Sequence, residues 1–195
     1  MKYNIGILLT GLAMVAAPAM AQGLTSGGEA FLTALREGNG TKAISLADGK
    51  GSTVVNYRGV EGETALIIVT RKRNINWIGF LLANGADPDA GDKQGETPLI
   101  IASRSGYGEG VAQLLKAHAQ VDRTNRLGET ALIAAVQQRN APIVSTLLKF
   151  GANPDRADHA SGYSARDYAK RDSRSKEMLR LIETVKAQLP IAPAR

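Results

Sequence analysis

The chain repeats itself with a step of 33 residues. Gly62-Glu63-Thr64-Ala65-Leu66 returns as Gly95-Glu96-Thr97-Pro98-Leu99 and again as Gly128-Glu129-Thr130-Ala131-Leu132. A second signature keeps the same register: Leu81-Leu82-Ala83-Asn84-Gly85-Ala86-Asp87, then Leu114-Leu115-Lys116-Ala117-His118-Ala119-Gln120, then Leu147-Leu148-Lys149-Phe150-Gly151-Ala152-Asn153. Two signatures sharing one period mean that supersecondary units are stacked in a row, each covering the apolar face of the next.

The residue chemistry within one period reads as two helices and a projecting turn. Thr64, Thr97 and Thr130 stand where a hydroxyl caps the first helix, and Pro98 follows one cap where its missing N–H costs nothing. Leu66, Leu99 and Leu132 begin the apolar face of that helix. Second helices are predicted over Ile75–Leu82, Gly110–Leu115 and Ile143–Leu148, ended by a left-handed residue at Gly85, His118 and Gly151. Trp77 is read as core between repeats, where a large aromatic fills space. The glycine-rich run Arg104–Gly110 predicts a looser second helix in its repeat.

Those motifs resemble the ankyrin-repeat family over about Gly59–Asp155, less closely to Leu189, and weakly over Glu29–Asn56. The resemblance implies an all-α solenoid of about four helix-turn-helix repeats behind a degenerate N-terminal capping repeat. The repeats fall at approximately 29–56, 57–91, 92–124, 125–157 and 158–189. In the degenerate unit, Ser26 and Glu29 have capping-box spacing before an apolar run, and Gly51–Asn56 takes the place of a turn. The family usually has His after the Pro-Leu step; Ile67, Ile100 and Ile133 stand there instead and add apolar burial. Gly162 opens the fourth full unit one residue late, and Arg166 replaces its leucine. The closing helix is predicted over Lys176–Leu189, apolar through Met178, Leu181, Ile182 and Val185, ahead of a tail at 190–195.

The resemblance also implies non-catalytic binding of a protein partner through the loop tips and the concave face. Position by position, that surface consists of Val60, Glu61, Glu63, Arg71 and Lys72, then Lys93, Gln94, Glu96 and Arg104. Arg126, Leu127, Glu129, Gln137 and Gln138 continue it, followed by Tyr163 and Arg171. Glu63, Glu96 and Glu129 form an acidic column, and Arg71, Arg104 and Arg171 a basic one. Either the columns pair as a ladder, which contributes little to stability, or they form a polar groove with anchors at Val60, Leu127 and Tyr163.

Composition narrows the alternatives. Lys2, the apolar run Ile5–Ala17 and Ala19-Met20-Ala21 read as a signal peptide over residues 1–21, with a flexible lead-in at 22–28. The expected location is therefore the periplasm, without a lipid anchor, since no cysteine is present to carry one. Absence of cysteine also removes disulfides, thiolate metal sites and redox pairs. The net charge of +6 reads as a solvated basic surface. Its sharper alternative is attraction to an acidic partner or to anionic lipid head groups, the latter as envelope association through Lys170, Arg171, Arg174, Lys176 and Arg180. Nucleic acid is not an expected partner of an exported chain, and a monomer is favoured.

No pattern points to catalysis, a cofactor or a metal. The two histidines, His118 and His159, lack zinc-type spacing. Asp87-Pro88-Asp89-Ala90-Gly91-Asp92 bunches carboxylates without the spacing or closing glutamate of a calcium loop, so Asp87 and Asp89 are read as local turn formers. Asn39-Gly40-Thr41 matches a glycosylation sequon but reads as a turn after a helix.

Overall fold

The computed structural model describes residues 27–47 and 52–188. The signal peptide, most of the lead-in, the Ser26 cap, Leu189 and the tail lie outside the described residues. So does the side chain of Val185.

Helices α1 (Gly27–Glu37), α2 (Gly40–Ala47) and α3 (Ser52–Val55) make the first unit. The helix pairs α4 (Ala65–Arg71) with α5 (Ile75–Ala83), α6 (Pro98–Arg104) with α7 (Gly108–Lys116), and α8 (Ala131–Gln137) with α9 (Ala141–Lys149) follow. Helix α10 (Ala165–Arg171), a 3-10 turn at Ser173–Ser175 and α11 (Lys176–Gln188) close the row. Packing of α1, α4, α6, α8 and α10 in succession forms an inner row, and α5, α7, α9 and α11 form an outer one. The described residues are therefore an all-α solenoid whose core is one continuous strip between the rows.

The inner helices form because their caps and apolar faces agree. Thr64, Thr97 and Thr130 accept the N–H groups of Ile67, Ile100 and Ile133 at 3.3, 3.3 and 3.2 Å. Those isoleucines, on the family's histidine position, are completely buried. Burying such a side chain contributes about 1.5–3 kcal/mol. The left-handed residues predicted at the ends of the outer helices are present, with φ of 80° at Gly85, 63° at His118 and 87° at Gly151.

Four expectations are corrected. Gly27 and Gly28 belong to α1 rather than to a flexible lead-in, because Gly28 lies against the Tyr57 ring, where a Cβ would come within 2.1 Å. Ser52–Val55 is a short helix instead of a turn, since it carries Val54 and Val55 into the core. The second repeat's outer helix α7 is not looser: it has nine residues, as α5 and α9 do, and Gly110 lies beneath the Tyr107 ring. Trp77 is only half-buried, edge-on to Phe80 at 5.1 Å, because the short α2 covers that end of α5 incompletely.

His118 is exposed and carries a side chain in the left-handed region. That conformation costs an L-residue roughly 1–2 kcal/mol, more than the roughly 0.5–1 kcal/mol of added chain entropy that glycine brings. His118→Gly is expected to raise stability by up to ~1 kcal/mol, read as a higher urea midpoint at unchanged slope.

Candidate protein-binding surface

The projecting turns are held by a ladder of side chains and backbone that runs along the whole row. Oδ1 of Asp92 accepts the N–H groups of Gln94 and Glu96, and Oδ1 of Asn125 accepts those of Leu127 and Glu129, at 2.9–3.0 Å. Asp158 does the same for Ser161 and Gly162 at 2.7 and 3.1 Å, allowing for the one-residue insertion. Each tip also bonds to the one before it. Lys93 N–H reaches Glu61 O at 2.9 Å, Arg126 N–H reaches Gln94 O at 2.9 Å, and His159 N–H reaches Leu127 O at 2.7 Å. Glycine is required at position 128: φ is 77°, and a Cβ would lie 2.7 Å from the His159 nitrogen.

A second ladder joins the repeats at the base of the turns. Asn56, Asp89 and Asp122 accept the N–H groups of Asp87, Gln120 and Asn153 in the next unit at 2.8, 2.8 and 2.9 Å. Asp87 is a local turn former as expected, accepting Asp89 N–H at 2.9 Å. Asp89 is not; it links repeats.

On the concave face, the acidic and basic columns meet at Arg104. Arg104 of α6 donates to Glu96 in its own repeat and Glu129 in the next, while the Asn125 amide donates to both carboxylates at 2.7 and 3.1 Å. Partial burial would lower the Arg104 pKa, but the two glutamates outweigh it and raise it. Arg71 pairs with Asp92 at 2.8 Å. Arg171 lies 4.4 Å over the Tyr163 ring and donates to its hydroxyl at 2.6 Å. Glu63 is engaged by Arg36 of α1, a residue absent from the predicted site because the first repeat is degenerate. Lys72 donates to the Arg36 carbonyl, which ties α4 to α1. Column-to-column pairing therefore holds at Arg104 with Glu96 and Glu129, whereas Glu63, Arg71 and Arg171 are engaged by Arg36, Asp92 and Tyr163 outside the two columns. Glu96, Arg104 and Glu129 themselves line an open depression of about 450 Å³, together with Leu127, Gln137 and Tyr168. Gln138 is the C-cap of α8 and is exposed.

The tips differ. Val60 and Leu127 are 77% and 59% exposed, and Glu61, Lys93, Gln94 and Arg126 are exposed beside them. Among the described residues, Lys93 and Arg126 have neither an ion pair nor a side-chain hydrogen bond. Helix α11 buries Met178 and Ile182 against α9 and α10, so these apolar side chains are already occupied, while Lys176, Glu177, Arg180 and Glu183 are exposed. Among the described residues, no group of His, Cys, Asp and Glu could hold a metal ion, and no helix is long and apolar enough to cross a membrane.

Two outcomes test this geometry. Removing Arg104 leaves two crowded carboxylates. Because its side chain is 39% exposed, Arg104→Ala is expected to cost about 1–2 kcal/mol, less than a fully buried pair would. Adding Glu129→Gln should recover part of that loss in a denaturation double-mutant cycle. For Asp158, burial raises the carboxyl pKa, but the Ser161 and Gly162 N–H groups and the Tyr168 and Ser161 hydroxyls outweigh burial and hold it below its ordinary value. A depressed carboxylate stabilises above its unfolded pKa of about 3.9 and loses that contribution as pH falls through the folded value. Asp158→Asn should therefore cost about 1–2 kcal/mol at neutral pH, and melts in acid should show the difference shrinking as Asp158 itself protonates.

Comparison with known proteins agrees with this architecture. A family profile described as Ankyrin repeats (3 copies) matches residues 31–125, and one described as Ankyrin repeat matches residues 127–159. No curated protein matches the sequence. Its period, capped helix pairs and projecting turns, together with these matches, place the chain in the ankyrin-repeat family.

Proposed function

We propose that this protein is a non-catalytic module that holds a protein partner along its finger tips and the adjoining concave face, in an exported compartment. The observation that carries the reading is the contrast between an internally paired concave face and tips that expose Val60 and Leu127 beside unpaired cations. Ladders across the repeats fix the tips relative to one another, which lowers the ordering cost of binding. Large apolar side chains at exposed positions suit anchors that a partner covers. The signal-peptide pattern at residues 1–21 supports export to the periplasm. There the module acts either as an accessory factor for an exported enzyme or as an inhibitor that covers another protein's active site. No cofactor is needed for either role.

A cross-linked capture from the exported fraction tests the reading. The control bait should carry Val60→Ser and Leu127→Ser, because both side chains are exposed and their loss leaves the ladders intact. A partner held by the native chain is expected to be reduced at least about tenfold on the control, the equivalent of about 1.4 kcal/mol. Equal capture by both baits would move the interface to another face.

A further inference from the structure

The exposed finger tips repeat with the same step as the helices. Val60, Lys93, Arg126 and His159 occupy one column, and Glu61, Gln94, Leu127 and Ala160 the column beside it. Backbone bonds from Lys93 to Glu61, from Arg126 to Gln94 and from His159 to Leu127 hold these turns side by side in sequence. The arginines behind them are engaged within the chain: Arg36 with Glu29 and Glu63, Arg71 with Asp92, Arg104 with Glu96 and Glu129, and Arg139 with Asp172. Lys93 and Arg126 have no such partner among the described residues, and no carboxylate shares their column. Lys93 and Arg126 thus leave positive charge open at the tips, beside the one carboxylate of the two columns, Glu61, while these four arginines are paired behind them.

Given the binding role proposed above, we propose that the tips form a docking strip for an extended acidic segment of the partner protein. Lys93 and Arg126 pair with two of its carboxylates, and Leu127 receives an apolar side chain next to them. Spacing follows from the architecture. Packed helices lie about 8–10 Å apart, and an extended chain advances about 3.3 Å per residue, so neighbouring tips match acidic residues about three positions apart. Charge complementarity of this kind sets orientation and partner choice more than raw affinity. A protein segment is chosen over a lipid surface because the binding role proposed above is for a protein partner, and Leu127, 59% exposed beside Arg126, suits one of its apolar side chains.

Fluorescence anisotropy with synthetic peptides tests the strip directly. The probe carries glutamates at three-residue spacing with leucine between them. Its controls are the same composition with the glutamates clustered, and the same spacing with lysine in place of glutamate. The spaced acidic peptide should bind the full chain about tenfold more tightly than the clustered one. Lys93→Glu with Arg126→Glu should remove that preference and weaken binding about tenfold or more. Lys116→Glu with Lys149→Glu changes net charge equally on the outer helices, and should change binding less than about twofold. Equal loss in both double variants, no preference for spacing, or no peptide binding would overturn the strip. Tip-dependent binding to phosphatidylglycerol vesicles without peptide binding would overturn it in favour of a lipid surface. The capture experiment is independent of partner charge, so a strip that fails leaves the protein-binding reading to be judged on its own test.

Discussion

A pair of helices seven to nine residues long cannot enclose its own apolar side chains, and everything else in this molecule follows from that constraint. Leu66, Leu99 and Leu132 are fully or nearly fully buried only because α6 covers α4 and α8 covers α6. Among the described residues, neither end of the row has a neighbour on one side, and both ends depart from the pattern. At the N-terminus, α3 replaces a turn and brings Val54 and Val55 against the core. At the C-terminus, α11 is amphipathic, burying Met178 and Ile182 while exposing Lys176 and Arg180.

Stacking by apolar contact alone leaves the projecting turns without support, and the two polar ladders supply it. Asp92, Asn125 and Asp158 close each turn on itself. Asn56, Asp89 and Asp122 reach across to the next unit. Hydrogen bonds of this kind contribute about 0.5–1.5 kcal/mol each, so their weight lies in fixing geometry repeatedly rather than in any single bond. Arg104, shared between carboxylates of two repeats, extends the same logic to the concave face.

Most of the fold was legible from the period, since a repeated cap, apolar face and left-handed residue each have one physical use. The inter-repeat role of Asp89 was less so, although Asn56, Asp89 and Asp122 keep the 33-residue step. An aspartate in a turn satisfies local N–H groups equally well, and sequence alone does not separate the two bonds. Arg36 escaped notice because the first unit has no Gly-Glu-Thr opening to set its register. Trp77 is read as core from its inter-repeat position and its size; it does pack on the core, but its partial exposure depends on how far α2 covers it. The paired columns show the same limit: their existence was readable, but whether they face each other or a partner required coordinates.

The central claim is that this protein meets its partner with its tips, while its concave charges hold the scaffold. Placing a photo-crosslinking amino acid singly at Leu127, at Ser105 and at Thr146, then irradiating in intact cells, tests it most directly. The account predicts a strong crosslinked product from position 127, a weaker one from 105 on the concave side, and none from 146 on the outer row. A product arising chiefly from 146 would contradict it, because the partner would then cover the outer helices and the tips would be solvated ornament.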